Sequence, residues 1–432
     1  MFALGLLRGT TVVVLAVTGT TVVHAAEASR SLPHAHPIIV EQALVKHVDA
    51  LEVDSSLNLT KVVNLTLDKL PDRVWLSALE EEASALRNKS ESWLAGSANA
   101  ELAFQEATSG TLHYVDARLQ VPLWNLGQKN AQHSVAKEAE TDALSQADAV
   151  KLRVAGLVRG ALWNIALAKL MHEQAQIEYQ VTEALLEKVQ RRVELGDLPR
   201  ADYLLAQTEL LQKRSVLTQA EAELMHTRKR YTSITQLTKI PSDFLEKLTP
   251  AKEIKQNHPS LVALNTQIER KQAELNALQL VGSGQTLLSV GINSDESSDP
   301  RSNKTQSFNI GVVMPFGGDA HLAPQVSAIN VAMTKLMAEK AQLLRDLDQA
   351  HHEAEHNLEV NAAELEIANE LRLVAEEHLK LTQLSFSAGE INLMDLLKIQ
   401  ARTQQAVLNA KQRSLMQQRD IALYNQAVGV LP

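Results

Sequence analysis

Fourteen histidines and no cysteine bound the chemistry open to this chain of 432 residues. The missing thiols remove disulfides, thiol nucleophiles and thiolate metal sites together, as well as the acceptor for N-terminal lipidation of a mature chain. Two histidine groupings have ligand-like spacing. His34 and His36 flank an alanine in LPHAHP, and His351, His352 and His356 fall in HHEAEH. On a helix His352 and His356 share a face with Glu355 nearby, an i,i+4 pair able to hold a divalent cation through neutral imidazole nitrogens. Glu353 directly follows His352, so the pair has the spacing of the zinc-protease pattern, which needs a third ligand as well. Without a clear third ligand the pair reads as a solvated helix face, with His352 and His356 as the candidates for a metal.

No phosphate-cradling glycine loop and no Gly-x-Ser-x-Gly elbow occurs. Acidic residues are spread along helical segments in the manner of solvated faces. The reading is therefore no enzyme and no cofactor. The formal charge of −9 offers no basic footprint, which argues against nucleic acid as a partner. Aromatics make up 3% of residues, few for a compact enzyme core, while 45% of residues are apolar. Abundant Ala, Leu, Gln and Glu instead suit long helices.

The first 25 residues have one early positive charge, an apolar run (TVVVLAVTGTTVV) and a small-residue pattern ending Val23-His24-Ala25. That is a secretory leader, too short in its apolar part to span a bilayer. No later stretch approaches a transmembrane helix. Beyond it the chain repeats itself. Val121-Pro122-Leu123 and Met314-Pro315-Phe316 each precede a long helical run, 193 positions apart. Gly196-Asp197-Leu198 and Gly389-Glu390-Ile391 share that offset, as do Asp202 with Asp395 and Gln207 with Gln400. Two landmarks with one common offset make a tandem duplication. Leu70-Pro71-Asp72 and His258-Pro259-Ser260 each open an amphipathic helix as a weaker third match. The stretches before Gly196 and Gly389 predict helices of roughly 90–100 Å at 1.5 Å per residue. After Gly196 the apolar residues Tyr203, Leu210, Leu217, Leu224 and Tyr231 fall seven apart, the seam of a left-handed coiled coil.

Four short segments switch to period two, the mark of half-buried strands. Their apolar files are Ala98, Ala100, Leu102, Phe104; Val115, Ala117, Leu119, Val121; Leu288, Val290, Ile292; and Phe308, Ile310, Val312, Met314. The polar linkers 106–111 and 294–305 read as hairpin loops. Because the neighbouring helices look committed to their own seams, lipid is a candidate partner for the apolar files. Four strands cannot close a barrel, and an open sheet edge in lipid is prohibitively costly. Lipid burial thus requires oligomerisation, and three chains would supply twelve strands.

With the V-P-L-W-N-L-G junction at 121–127, the helix–Gly–helix segments around 196 and 389, and the doubled order helix–hairpin–long helix–helix, the chain resembles the TolC-like outer membrane efflux proteins. The resemblance implies a mixed α and β homotrimer: a 12-stranded outer-membrane β-barrel, four strands per chain, continued by an α-helical coiled-coil barrel in the periplasm of a Gram-negative bacterium. It further implies a periplasmic adaptor and an inner-membrane pump as partners, most like the resistance-nodulation-division (RND) exporters, including those for metal cations. Gly196 and Gly389 match the family's tip glycines. Leu195, Asp197, Leu198, Ala388, Glu390 and Ile391 would complete the docking surface. Asp395 matches a pore-lining aspartate, three copies of which would form a cation-favouring ring. Asp202 matches a position that ties neighbouring helices shut in some relatives. Either aspartate is equally a first-turn residue favoured by the helix dipole. A second acidic ring expected three residues on falls instead at Lys398, which either pairs with Asp395 or faces away from the lumen; its counterpart in the first half is Leu205.

The expected organisation is a leader at 1–25, an N-terminal segment with the first helices at 26–95, and a barrel hairpin at 96–122. A long helical hairpin (123–238) and an equatorial segment (239–257) follow. The second half has a helix (258–283), a barrel hairpin (284–316) and a long helical hairpin (317–432). Stretches 26–58 and 236–257 look irregular, with nothing assignable beyond packing outside a tunnel. The competing readings are a type I secretion duct and a soluble periplasmic coiled-coil scaffold.

Overall fold

The computed structural model describes residues 51–251, 253–254, 256–301 and 303–432. The leader, His34 and His36 lie outside the described residues. Elements run β1 (Glu52–Asp54), α1 (Leu59–Lys69), α2 (Asp72–Glu91), β2 (Asn99–Glu106), β3 (Leu112–Leu123), α3 (Gln128–Glu194) and α4 (Arg200–Thr235). The second half has β4 (Lys239–Pro241), α5 (Pro259–Val281), β5 (Thr286–Ser297), β6 (Thr305–Val313), α6 (Asp319–Ala388) and α7 (Leu393–Ala427).

Helices α3 and α6 have 67 and 70 residues, so each is about 100 Å long. The seven-residue file of α4 turns toward α3, with Leu224 and Tyr231 buried. Helix α6 carries Pro324 as its sixth residue, just past the first turn, where the missing N–H forfeits one bond, to the Ala320 carbonyl, and the helix continues. One 18-residue stretch of α3 is, against expectation, apolar and charge-poor enough to cross a membrane by length and composition, and half of it is buried within the protein. Val154, Val158, Leu162 and Ile165 of α3 pack with Val62 and Val63 of α1 and with Tyr231 in the main core.

Strands β2, β3, β5 and β6 form one antiparallel sheet in that order. The two hairpins, far apart in sequence, meet through β3 and β5. Register decides the chemistry of each face. Ala100, Leu119, Val290 and Ile310 lie in one row, and Leu102, Ala117, Ile292 and Phe308 in the next but one. The intervening row, on the other face, is Glu101, Arg118, Gly291 and Asn309. There Arg118 lies 3.0 Å from Asp116 and 3.8 Å from Glu101. A Cβ on Gly291 would sit 3.0 Å from the Ala117 carbonyl, so this row accepts only glycine without adjustment. Leu102, Phe104, Ile292, Phe308 and Ile310 are all exposed, so the helices of this chain do not cover the apolar face.

Two expectations need correction. β5 runs on to Ser297, so the second hairpin loop spans 298–304 rather than 294–305. Residues 294–297 look like a loop because they are polar, yet they complete the ladder opposite 112–115 of β3. Second, the stretches read as irregular contain β1 and β4, which pair in parallel. Lys239 Nζ lies 3.2 Å from Asp54 Oδ2 across that pair. Hydrogen bonds from Ser56, then Lys239, hold the Asp54 carboxyl down at about 2. Burial pushes the Tyr231 hydroxyl up to about 12, and it donates to the Lys239 carbonyl (2.8 Å).

Asn125 is the hub of the joint between the sheet and the helices. Asn125 Nδ2 donates to the carbonyls of Val281 (3.1 Å) and Gly284 (3.0 Å), and its Oδ1 accepts from Thr286 Oγ1 (2.9 Å). Trp124 Nε1 donates to the Ser92 carbonyl (3.0 Å), and Ala95 N to that of Pro122 (3.1 Å). Gly318 N donates to Ser283 Oγ (2.8 Å), so the four junction segments form one hydrogen-bonded layer.

His258, fully buried, caps α5: its Nδ1 accepts from Ser260 N at 3.3 Å. Gly429 (φ +81°) lies over the ring, where a Cβ would come within 2.6 Å of Cδ2. Burial lowers the imidazole pKa, with the Ala427 carbonyl opposing. Above the ordinary value of 6.5 the ring is neutral folded and unfolded; below it the unfolded chain takes a proton that the folded chain refuses. Stability therefore falls with pH below 6.5, at up to about 1.4 kcal/mol per pH unit. His258→Asn retains a capping acceptor without the charge. Thermal melts from pH 7 down to about 5 should be flatter for this variant, and parallel melting curves would exclude His258 as the source.

Candidate functional site at the helical tip

Both long helices end on glycine. Gly196 (φ +84°) and Gly389 (φ +81°) take a left-handed conformation. The following amides reach back five residues, Asp197 N to the Arg192 carbonyl (2.8 Å) and Glu390 N to that of Ser385 (2.9 Å). This bond satisfies carbonyls otherwise orphaned at a helix end. Beyond each turn the chain restarts as α4 after Pro199 and α7 after Asn392. The two turns are copies, down to the residues whose carbonyls accept.

Between them lies an apolar lock. Leu185 and Val189 of α3, Ala206 of α4, Phe386 of α6, and Leu393 and Leu396 of α7 are buried together. Leu198 and Ile391, two of the residues expected on the docking surface, are half-buried and pack against this cluster. Leu195, Gly196, Asp197, Ala388, Gly389 and Glu390 remain exposed.

The aspartates occupy equivalent first-turn positions. Asp395 is exposed, and its backbone N donates to Asn392 Oδ1 (2.8 Å), a helix cap. Asp202 is half-buried, and its N donates to the Pro199 carbonyl (3.0 Å). Lys398 is exposed, and no ion pair joins it to Asp395 among the described residues.

Cationic links between the two helical hairpins escaped the sequence reading. Arg192 Nη1 donates to the Phe386 carbonyl (3.1 Å), and its guanidinium lies 5.1 Å from the Phe386 ring centre. Its Nε is 4.0 Å from Asp197. Higher up, Lys213 Nζ donates to Glu178 Oε2 (2.8 Å) and Gln404 Oε1 (2.9 Å), and Lys411 Nζ to Gln174 Oε1 (3.2 Å). Outside the apolar lock, α3 and α4 thus meet α6 and α7 partly through separable polar bridges. A groove of about 540 Å³ follows this junction, lined by Leu185, Lys188, Arg191, Arg192, Phe386 and Leu396 among others.

The described histidines gather no metal site. His352 and His356 stack with ring centres 6.4 Å apart, and both are exposed. No group of three His, Asp or Glu residues able to hold a metal occurs among the described residues. His351 instead approaches the Tyr424 hydroxyl (3.3 Å).

A four-stranded sheet with one apolar face, feeding paired helices of about 100 Å that turn on glycine, is the fold of TolC-like outer membrane channels. Three solved structures carry the comparison. The outer membrane protein VceC from Vibrio cholerae superposes with a TM-score of 0.69 at 12% identity, covering 86% of this chain and 96% of that one. The CmeC outer membrane channel of Campylobacter jejuni gives 0.67 at 13%, covering 86% and 85%. The MtrE outer membrane channel of Neisseria gonorrhoeae, in its open state, gives 0.65 at 15%, covering 86% and 88%. No family model and no curated protein matches the sequence.

Proposed function

We propose that this chain is the outer membrane channel of a tripartite efflux system, passively conducting cargo from a periplasmic adaptor and an inner-membrane RND-type pump to the exterior. The observation that carries this reading is the sheet: an exposed apolar face, a polar opposite face, and two open edges, β2 and β6. Lipid is the burial partner that suits such a face, and an open edge cannot stand in lipid. Pairing β6 of one copy with β2 of the next closes twelve strands around three chains, within the even-numbered range of such barrels. The exposed face also disfavours a soluble scaffold. Fractionation tests the reading: the protein should pellet with outer membranes and run as a heat-modifiable oligomer, and recovery in the soluble extract would overturn it.

The tip is the gate and docking end in this proposal, and no chemical step belongs to it. Adaptor contacts at Leu195, Gly196, Asp197, Ala388, Gly389 and Glu390 would strain the turns and the groove beside Arg192, moving α6 and α7 against α3 and α4. Exposed Asp395 would contribute three carboxylates near the axis, a ring that attracts cations. Asp395→Ala should therefore weaken the cation preference of the purified channel, read as a smaller reversal potential in a salt gradient. An unchanged reversal potential would place Asp395 outside the pore.

A further inference from the structure

On the polar face of the sheet, Asp116 of β3 is only 4% exposed. Arg118 Nη2 lies 3.0 Å from its Oδ2, but its shielded Oδ1 meets no hydrogen-bond donor among the described residues. A buried carboxylate oxygen without a partner is costly, and a donor or a cation offsets that cost. Register names its neighbours. Asn293 of β5 stands directly opposite Asp116, and Tyr114 and Asp295 form the opposed pair two residues along, on the same face. Ala103 flanks Asp116 on the β2 side with only a methyl group. Asp295 is half-buried, and its carboxylate has no hydrogen bond or ion pair among the described residues.

We propose that Asp116, Asn293 and Asp295 form a weak calcium site that clasps β3 to β5. The ion would take Asp116 Oδ1, the Asn293 amide oxygen and the Asp295 carboxylate, with water completing its shell. Asn293 Oδ1 already accepts from Asn309 Nδ2 (3.2 Å), and an amide oxygen has a second lone pair to give. Two carboxylates beside the one guanidinium of Arg118 leave a net negative charge for a cation. The donors are all hard oxygens, with no imidazole or sulfur to favour a transition metal. Opposed Cβ atoms lie about 4.5–5.5 Å apart and diagonal ones about 7–8 Å, which Ca–O bonds of about 2.3–2.6 Å on either side can span. Calcium tolerates such irregular shells better than magnesium, which demands a near-ideal octahedron. So few protein ligands predict a dissociation constant of about 10⁻⁴–10⁻³ M, the range of extracellular calcium modules. The β3–β5 pairing is where the two hairpins meet, so the bound ion would tie one half of the duplication to the other. Every ligand comes from one chain, so the site stands or falls separately from the channel reading.

Terbium, a luminescent ion of calcium's size and donor preference, reads the site through the Tyr114 ring, which would pass excitation to it. Full-length protein in detergent, stripped with EDTA and then dialysed free of it, should show saturable terbium emission that calcium displaces. Equilibrium dialysis with radioactive calcium should give one ion per chain. Tyr114→Phe should lose most of the emission and bind calcium as before. Asp116→Asn keeps the side-chain shape and an acceptor for Arg118, and should abolish both signals. Asp295→Asn, at a half-buried position, should weaken calcium by about tenfold. Asp395→Ala removes the carboxylate at the helical tip and should change neither signal. A wild type without saturable calcium binding would leave Asp116 Oδ1 to water and overturn the site. Calcium binding kept in Asp116→Asn, or lost in Asp395→Ala, would place the ion elsewhere and overturn it equally. Oligomer mobility checks the folding of each variant, and Asp295→Asn decides the matter if Asp116→Asn fails to assemble. Recovery of the protein in the soluble extract would end the channel reading and leave these outcomes as they stand.

Discussion

Arg192→Met should raise the open probability of the channel in planar bilayers by at least tenfold. Arg192 links the C-terminal ends of α3 and α6 by a charged hydrogen bond to the Phe386 carbonyl and by its position over the Phe386 ring. A hydrogen bond involving a charged group contributes about 1.5–3 kcal/mol, and a cation–π contact about 0.5–1 kcal/mol where partly exposed. The guanidinium is a quarter exposed, so the lower ends of those ranges apply. About 1.4 kcal/mol is tenfold in an equilibrium, and three copies act on one opening. Methionine keeps an unbranched apolar side chain over the lock, so a leaky tip would report the lost link rather than a cavity. Arg192→Lys should fall between, since an ammonium retains the charge without the planar stacking face. Wild-type conductance and gating in Arg192→Met would show that the apolar lock alone keeps the tip closed.

Arg159→Met should destabilise the protein by about 3–5 kcal/mol, the usual cost of orphaning one partner of a buried pair. Arg159 is buried in α3, with Nε 2.8 Å and Nη2 2.7 Å from the two carboxylate oxygens of Glu246. Its Nη1 donates to Gln426 Oε1 (2.5 Å) and its Nη2 also to the Val430 carbonyl (3.2 Å). One guanidinium thus fastens the segment after β4 and the residues following α7 to the middle of α3. Asn425 adds to the same seam by donating to the Lys247 carbonyl (2.9 Å). Methionine fills much of the volume but leaves the largely buried Glu246 carboxylate, 13% exposed, without a counter-charge. Arg159→Met with Glu246→Leu should recover a large part of the loss, because a well-packed apolar pair often replaces a buried ion pair at little cost. Chemical unfolding of the detergent-solubilised protein checks both variants. A loss below about 1 kcal/mol in the single variant would show that the seam relaxes and admits water.

Local pattern carried most of the architecture into the sequence. Gly196 and Gly389 could be read because a left-handed turn needs glycine and because the duplication repeats it at the same offset. The strand files could be read because one exposed apolar face enforces period two. The mixed α and β fold with four strands per chain holds. What stayed illegible depends on partners distant in sequence. The junction of β3 with β5 brings together hairpins more than 160 residues apart. Residues 294–297 resemble a loop until β3 is set beside them. Arg192, Arg159 and Asn125 look like ordinary polar residues on solvated segments, since nothing in their neighbours signals the carbonyls and carboxylates they meet. Leu198 and Ile391 flank the turns yet are half-buried, because the apolar lock between the two hairpins takes part of each side chain.

Native mass spectrometry of the protein extracted from membranes tests the central claim most directly. If four-stranded sheets close only by sharing their edges, the smallest stable species released by mild detergent will contain three chains. A folded single chain that needs no detergent to remain in solution would contradict the account.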